Sequence, residues 1–183
     1  DMDINLADKY HQDYTNVLIS GLGGSAIGGD ILKDYAATSA SIPIMVNRDY
    51  TIPAFVQEKT LFFAVSYSGN TEETISAYQA AQAQGAKIIC ITSGGKLADL
   101  AQQNGNLLLR VPSGLVPRAA TGYLFAPLAL TMGELGYLKG VKADLKETYM
   151  VLEKLRSRIN PDIDWGENEA RVIARQFKET LPI

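Results

Sequence analysis

The sequence predicts an α/β protein with a doubly wound, five-stranded parallel sheet in three layers. Three observations lead there. Five short apolar runs recur between Val17 and Val111. Each is followed by a turn signal and none alternates with polar residues, as suits strands buried on both faces. Helical stretches fill most of the gaps, giving a β-α-β-α order for which right-handed crossovers are expected.

The apolar runs are residues 17–20, 42–46, 60–65, 87–91 and 107–111, rich in Val, Ile, Leu and Phe. Residues 25–37 form the helix after the first run. Residues 71–84 follow the third, with Ile75, Tyr78 and Ala81 on one face and Gly85 as a stop signal. Residues 96–104 follow the fourth. The connection through Pro53 is less regular. Beyond the fifth run, residues 119–137 read as a long apolar helix, and Pro127 inside it predicts a kink or break. Residues 142–158 are amphipathic, with Leu145, Tyr149, Leu152 and Leu155 on one stripe. Asn160-Pro161-Asp162 breaks that helix and residues 168–178 form another. Leu181-Pro182-Ile183 reads as the first residues of a new strand. The expected division is therefore a main domain over 1–160, with 161–183 as a linker helix leading into a second domain.

Bulk properties narrow the function. The 183 residues carry 17 basic and 20 acidic side chains, a net charge of −3. That balance disfavours a nucleic-acid partner. No apolar run reaches the ~18 residues that a membrane span needs. Cys90 is the single cysteine, so there is no internal disulfide. The composition is compatible with a cytoplasmic protein.

Three loops carry the candidate chemistry. The first, residues 21–29, is glycine-rich and runs from a strand into a helix. Its glycines allow close approach of a ligand, and unpaired helix N–H groups favour an anion. Gly21, Gly23 and Ala26 also satisfy the relaxed dinucleotide fingerprint, with Asp49 loosely placed as a ribose ligand. The second loop sets Ser66, Ser68 and Thr71 around Gly69 and Asn70. A dinucleotide fold has no need of three hydroxyls there, whereas a phosphate monoester does. The competing reading is a helix cap, with Asn70 as N-cap and Glu73 closing a capping box. Glu72 and Glu73 would repel a phosphate, so they are expected to point outward or to meet sugar hydroxyls. The third loop, residues 111–122, carries Arg118 near a helix start, where a cation is unfavourable. Its partner is either charge developing on a substrate or a neighbouring carboxylate.

Together these loops resemble the sugar isomerase (SIS) domain, with its flavodoxin-like fold. More narrowly they resemble the N-terminal half of the bifunctional phosphoglucose/phosphomannose isomerase family. The resemblance rests on Gly-Leu-Gly-Gly-Ser at 21–25, Ser-Tyr-Ser-Gly-Asn-Thr-Glu-Glu-Thr at 66–74, Pro-Arg-Ala-Ala at 117–120, and the tail from Asn168-x-Ala170 to Leu181-Pro182-Ile183. It implies phosphate contacts from Gly24, Ser25, Ser66, Ser68 and Thr71, and it sets Arg118 near the C1–C2 end of the sugar. The implied reaction interconverts glucose 6-phosphate or mannose 6-phosphate with fructose 6-phosphate through a cis-enediol, with no metal or nucleotide cofactor. A homodimer is also expected from the resemblance. The resemblance also implies that the catalytic base comes from a second domain beyond Ile183 or from a partner subunit; within the chain His11 reads as a surface residue and Glu134 as a helix-end or partner contact. The fragment alone is expected to turn over little. The alternatives are a non-catalytic module that senses a sugar phosphate and a dinucleotide-binding domain.

Overall fold

A computed structural model describes residue 4 and residues 6–178. Its strands are β1 (Asn16–Ser20), β2 (Ile44–Asn47), β3 (Thr60–Val65), β4 (Lys87–Thr92) and β5 (Leu107–Arg110). All neighbours pair in parallel, in the order β2-β1-β3-β4-β5. The predicted sheet is therefore present. β2 starts later than its apolar run because Pro43 has no N–H to give the ladder, although its carbonyl accepts from Val17.

The helices of the sheet domain are α1 (Gly24–Ala36), α2 (Glu72–Ala83), α3 (Gly95–Gln103) and α4 (Thr121–Glu134). Leu18, Phe62, Ala64, Ile88 and Cys90 pack with Ala77, Tyr78 and Ala81 of α2 and Leu97 and Ala101 of α3. Ile19, one residue on in β1, points to the opposite face. A Cβ on Gly29 of α1 would lie 2.9 Å from the Ile19 side chain. The two faces are thus covered by different helices, as double winding requires. On the Ile19 side α1 also meets α4, for a Cβ on Gly28 would lie 2.9 Å from the Leu124 carbonyl carbon.

The long helix predicted over 119–137 is divided differently. A 3-10 turn covers Pro117–Ala120, and α4 then runs through Pro127 to Glu134 without interruption. Pro127 leaves the carbonyl of Tyr123 without a helical donor. Tyr123 is exposed, so water can serve that carbonyl. The end of α4 is set instead by Gly136, at φ +80°, with the Tyr137 N–H reaching the Met132 carbonyl at 2.9 Å.

The chain divides into two units, Asp1–Val141 and Lys142–Ile183. The second holds most of α5 (Val141–Ile159) and all of α6 (Glu169–Gln176). Asn168 caps α6 by accepting the Arg171 N–H at 3.2 Å. The Arg171 guanidinium lies 4.6 Å from the centre of the Trp165 ring and donates to the carbonyls of Pro161 and Ile163. The strand start expected at 181–183 lies outside the described residues. No helix among the described residues is long and apolar enough to cross a membrane.

Candidate functional site

The order β2-β1-β3 decides where a ligand can enter. From β1 the chain leaves to one face through α1, and from β3 it leaves to the other through α2. The carboxyl ends of β1 and β3 therefore flank the switch point of the sheet, where open α/β folds bind ligands. The glycine loop after β1 and the hydroxyl loop after β3 are the two loops at that point.

Neither helix that starts there is capped by a side chain. Gly23 precedes α1 at φ +54°, and Thr71 precedes α2 without a side-chain cap bond. The capping-box reading of the hydroxyl loop is thereby overturned. Asn70 is not the cap; its Oδ1 accepts the Lys96 N–H at 3.0 Å and so ties the loop to α3. Glu73 does not close a box either. Its charge raises the Tyr50 phenol above its ordinary range, with desolvation and Glu72 adding to the effect. Two helix N-termini thus present partial positive charge to the same crevice, although in α1 the Ser25 and Ala26 N–H groups already donate to the Leu22 and Gly23 carbonyls.

The hydroxyls divide by burial. Ser66 is fully buried, and its Oγ accepts the Gly69 N–H at 3.1 Å and pairs with the Thr71 hydroxyl at 2.9 Å. Ser25 is buried too, and its Oγ accepts the Tyr67 N–H at 3.1 Å, joining the two loops directly. Its proton remains available to donate. Gly24 and Thr71 are half-buried, and Ser68 is exposed with its Oγ 3.3 Å from the Asn70 N–H.

Arg118 lies in the 3-10 turn that leads into α4. Its side chain is exposed, and among the described residues no carboxylate pairs with it. Of the two partners the sequence left open, the neighbouring carboxylate is absent from the described residues. His11 and Glu134 lie elsewhere. His11 precedes β1, at the opposite end of the strand from the crevice. Glu134 ends α4, about 20 Å from Thr121 at 1.5 Å per residue.

The dinucleotide fingerprint is explained without a nucleotide. Gly21 packs against β3, where a Cβ would lie 3.0 Å from the Val65 carbonyl oxygen, Gly23 takes φ +54° ahead of α1, and Ala26 is buried. Asp49 accepts the Tyr50 N–H at 2.7 Å and closes its own turn. The strand order also differs from the 3-2-1-4-5-6 order of dinucleotide folds.

Sequence reasoning missed a third wall. The loop after β4 brings Ser93, Gly94 and Gly95 against the hydroxyl loop. The Tyr67 carbonyl accepts from both the N–H and the Oγ of Ser93, at 3.1 and 2.7 Å. The dipeptide Gly94-Gly95 after an apolar run was the signal, since a Cβ on Gly95 would lie 2.4 Å from the Ser68 carbonyl.

Residues 12–113 match the family model of the SIS domain. The chain is 49% identical over 172 residues to a bifunctional phosphoglucose/phosphomannose isomerase of Caldicellulosiruptor bescii, covering 94% of this chain and 51% of that protein. It is 37% identical over 174 residues to a protein of the same name from Thermoplasma acidophilum, covering 90% and 54% respectively. Among solved structures, a Bacillus subtilis protein assigned as a phosphosugar isomerase matches with a TM-score of 0.68 at 24% identity. That match covers 94% of this chain and 53% of the other, and it shows the shared fold. The chain spans about half the length of the curated relatives it matches.

Proposed function

The chain belongs to the SIS domain family, and on that premise we propose that it binds the phosphate of a hexose phosphate between β1 and β3 and contributes this half-site to an aldose-ketose isomerase. The substrates are glucose 6-phosphate or mannose 6-phosphate and fructose 6-phosphate. The observation that carries the reading is the meeting of two uncapped helix N-termini with a hydroxyl-rich loop at one switch point. The similarity to isomerases over nine-tenths of the chain supports it.

In this reading Gly24, Ser25, Ser66, Ser68 and Thr71 meet the phosphate, and Ser66 also holds the loop through the Gly69 N–H. Neutral donors and helix ends stabilise the dianion without an arginine clamp. Fixing the phosphate leaves C1 and C2 at a set distance, so remote binding energy positions the reacting end. There a base removes the proton next to the carbonyl, and Arg118 stabilises the negative charge that develops on oxygen. The base comes from outside 1–183. The same proposal places a sugar-phosphate-binding region at 1–160 and a segment at 161–183 that leads toward a second half, and it includes a homodimer in the cytoplasm. The greater length of the relatives supports the two-half arrangement.

Titration with glucose 6-phosphate and, separately, with NADH tests the reading. Saturable sugar-phosphate binding that weakens in Ser68→Ala is expected. Saturable NADH binding that survives Ser68→Ala would overturn it.

A further inference from the structure

We propose that Tyr67 is the positioning residue for Arg118, an inference that rests on the isomerase reading and adds to it. Tyr67 sits between two hydroxyls assigned to phosphate, yet its own side chain leaves that loop. Its phenol donates to the Pro112 carbonyl at 2.9 Å and accepts the Leu115 N–H at 2.8 Å. Both hydrogen-bonding capacities are thus spent on the segment after β5.

That segment has little else to hold it. The last sheet-like bond is the Val111 N–H to the Thr92 carbonyl, and residues 112–116 are exposed. Leu115 stands three residues before Arg118, and a turn closed by the Ala119 N–H on the Val116 carbonyl, at 2.9 Å, joins them. Fixing Leu115 therefore fixes where the backbone of Arg118 begins.

The other end of the tie is rigid. The Tyr67 N–H is held by Ser25 and its carbonyl by Ser93. One residue thus connects the loops after β1, β3, β4 and β5. Its partners Ser25, Pro112 and Leu115 are 42, 45 and 48 residues away in sequence. The phosphate anchor and the cation at the reacting end are coupled through a single phenol, whose reach sets the distance between them.

The test is Tyr67→Phe in the full chain, which keeps the ring and removes both phenol bonds. Amide hydrogen exchange at Leu115 is expected to rise at least tenfold, while the amides of Tyr67 and Gly69 keep their protection. Titrations with inorganic phosphate and with 5-phosphoarabinonate, whose carboxylate stands in for the enediolate, then separate the two ends. Phosphate affinity is expected to stay within twofold of wild type. The advantage of the analogue over phosphate is expected to fall at least tenfold, as in Arg118→Gln, with no further loss in the double variant. Unchanged exchange at Leu115, an unchanged analogue advantage, or additive losses in the double variant would each overturn the inference. A wild-type chain that binds phosphate but gives the analogue no advantage overturns it while leaving the phosphate site in place. A chain that binds neither probe removes the proposed function and this role together, and exchange at Leu115 still reports whether the tie exists.

Discussion

The backbones of Gly69 and Gly94 touch so closely that a Cβ on Gly69 would stand 1.7 Å from the Gly94 carbonyl oxygen. Gly69 is also at φ +73°, which disfavours any L side chain. Gly69→Ala is therefore expected to destabilise the fold by at least about 2 kcal/mol, from backbone strain and overlap together. Urea unfolding measures the loss, and glucose 6-phosphate affinity should fall with it.

Ser68 and Ser66 are expected to part company. Ser68 is exposed, so Ser68→Ala should leave stability within about 0.5 kcal/mol. Its loss of a hydrogen bond to a charged ligand should cost roughly 1.5–3 kcal/mol of binding, on the order of a 10- to 100-fold rise in Kd. Ser66→Ala leaves the buried Gly69 N–H without its side-chain acceptor and the Thr71 hydroxyl without its partner. It should cost about 1–3 kcal/mol of stability as well as affinity. Calorimetric titration and denaturation on both variants separate the effects, and identical profiles would contradict the division.

Gly28 supplies a packing control. Its Cβ would fall 2.9 Å from the Leu124 carbonyl carbon, away from the crevice. Gly28→Ala should lower stability by about 1–3 kcal/mol through overpacking of α1 on α4. Affinity measured well below the unfolding transition should be unchanged.

Burial pushes the Cys90 thiol up to about 12 from its ordinary 9.0. The native thiol should resist Ellman's reagent at pH 8, because little thiolate forms. Stability should fall as well. The folded protein holds a proton that the unfolded chain releases, so this contribution is complete below about pH 9 and is lost as pH rises toward 12. The phenols of Tyr10 and Tyr78, also raised by burial, act in the same direction. Urea unfolding at pH 8 and pH 10.5 reads the slope, which Cys90→Ala should flatten in part.

The sheet was legible because strands buried on both faces need continuous apolar residues, and few other elements this short look that way. The hydroxyl loop was legible because it holds more donors than a helix cap can use. What stayed hidden depends on distant partners. Asn70 looks like a cap until Lys96 of α3 claims its oxygen. Tyr67 looks like a spacer until Pro112 and Leu115 fold over to it. The start of α4 differs from the periodicity for a local reason. The Thr121 hydroxyl donates back to the Arg118 carbonyl at 3.0 Å, where the 3-10 turn hands over to α4, and propensity alone does not reveal that.

The switch point between β1 and β3 has a mechanical consequence. β1 feeds a helix on one side of the sheet and β3 a helix on the other, so an anion gripped by both helix ends rivets the two layers through the sheet edge. Neither layer can then peel away without first letting go of the ligand. Occupancy of a small polar crevice should slow amide exchange in α1 and α2 together, although the sheet lies between them.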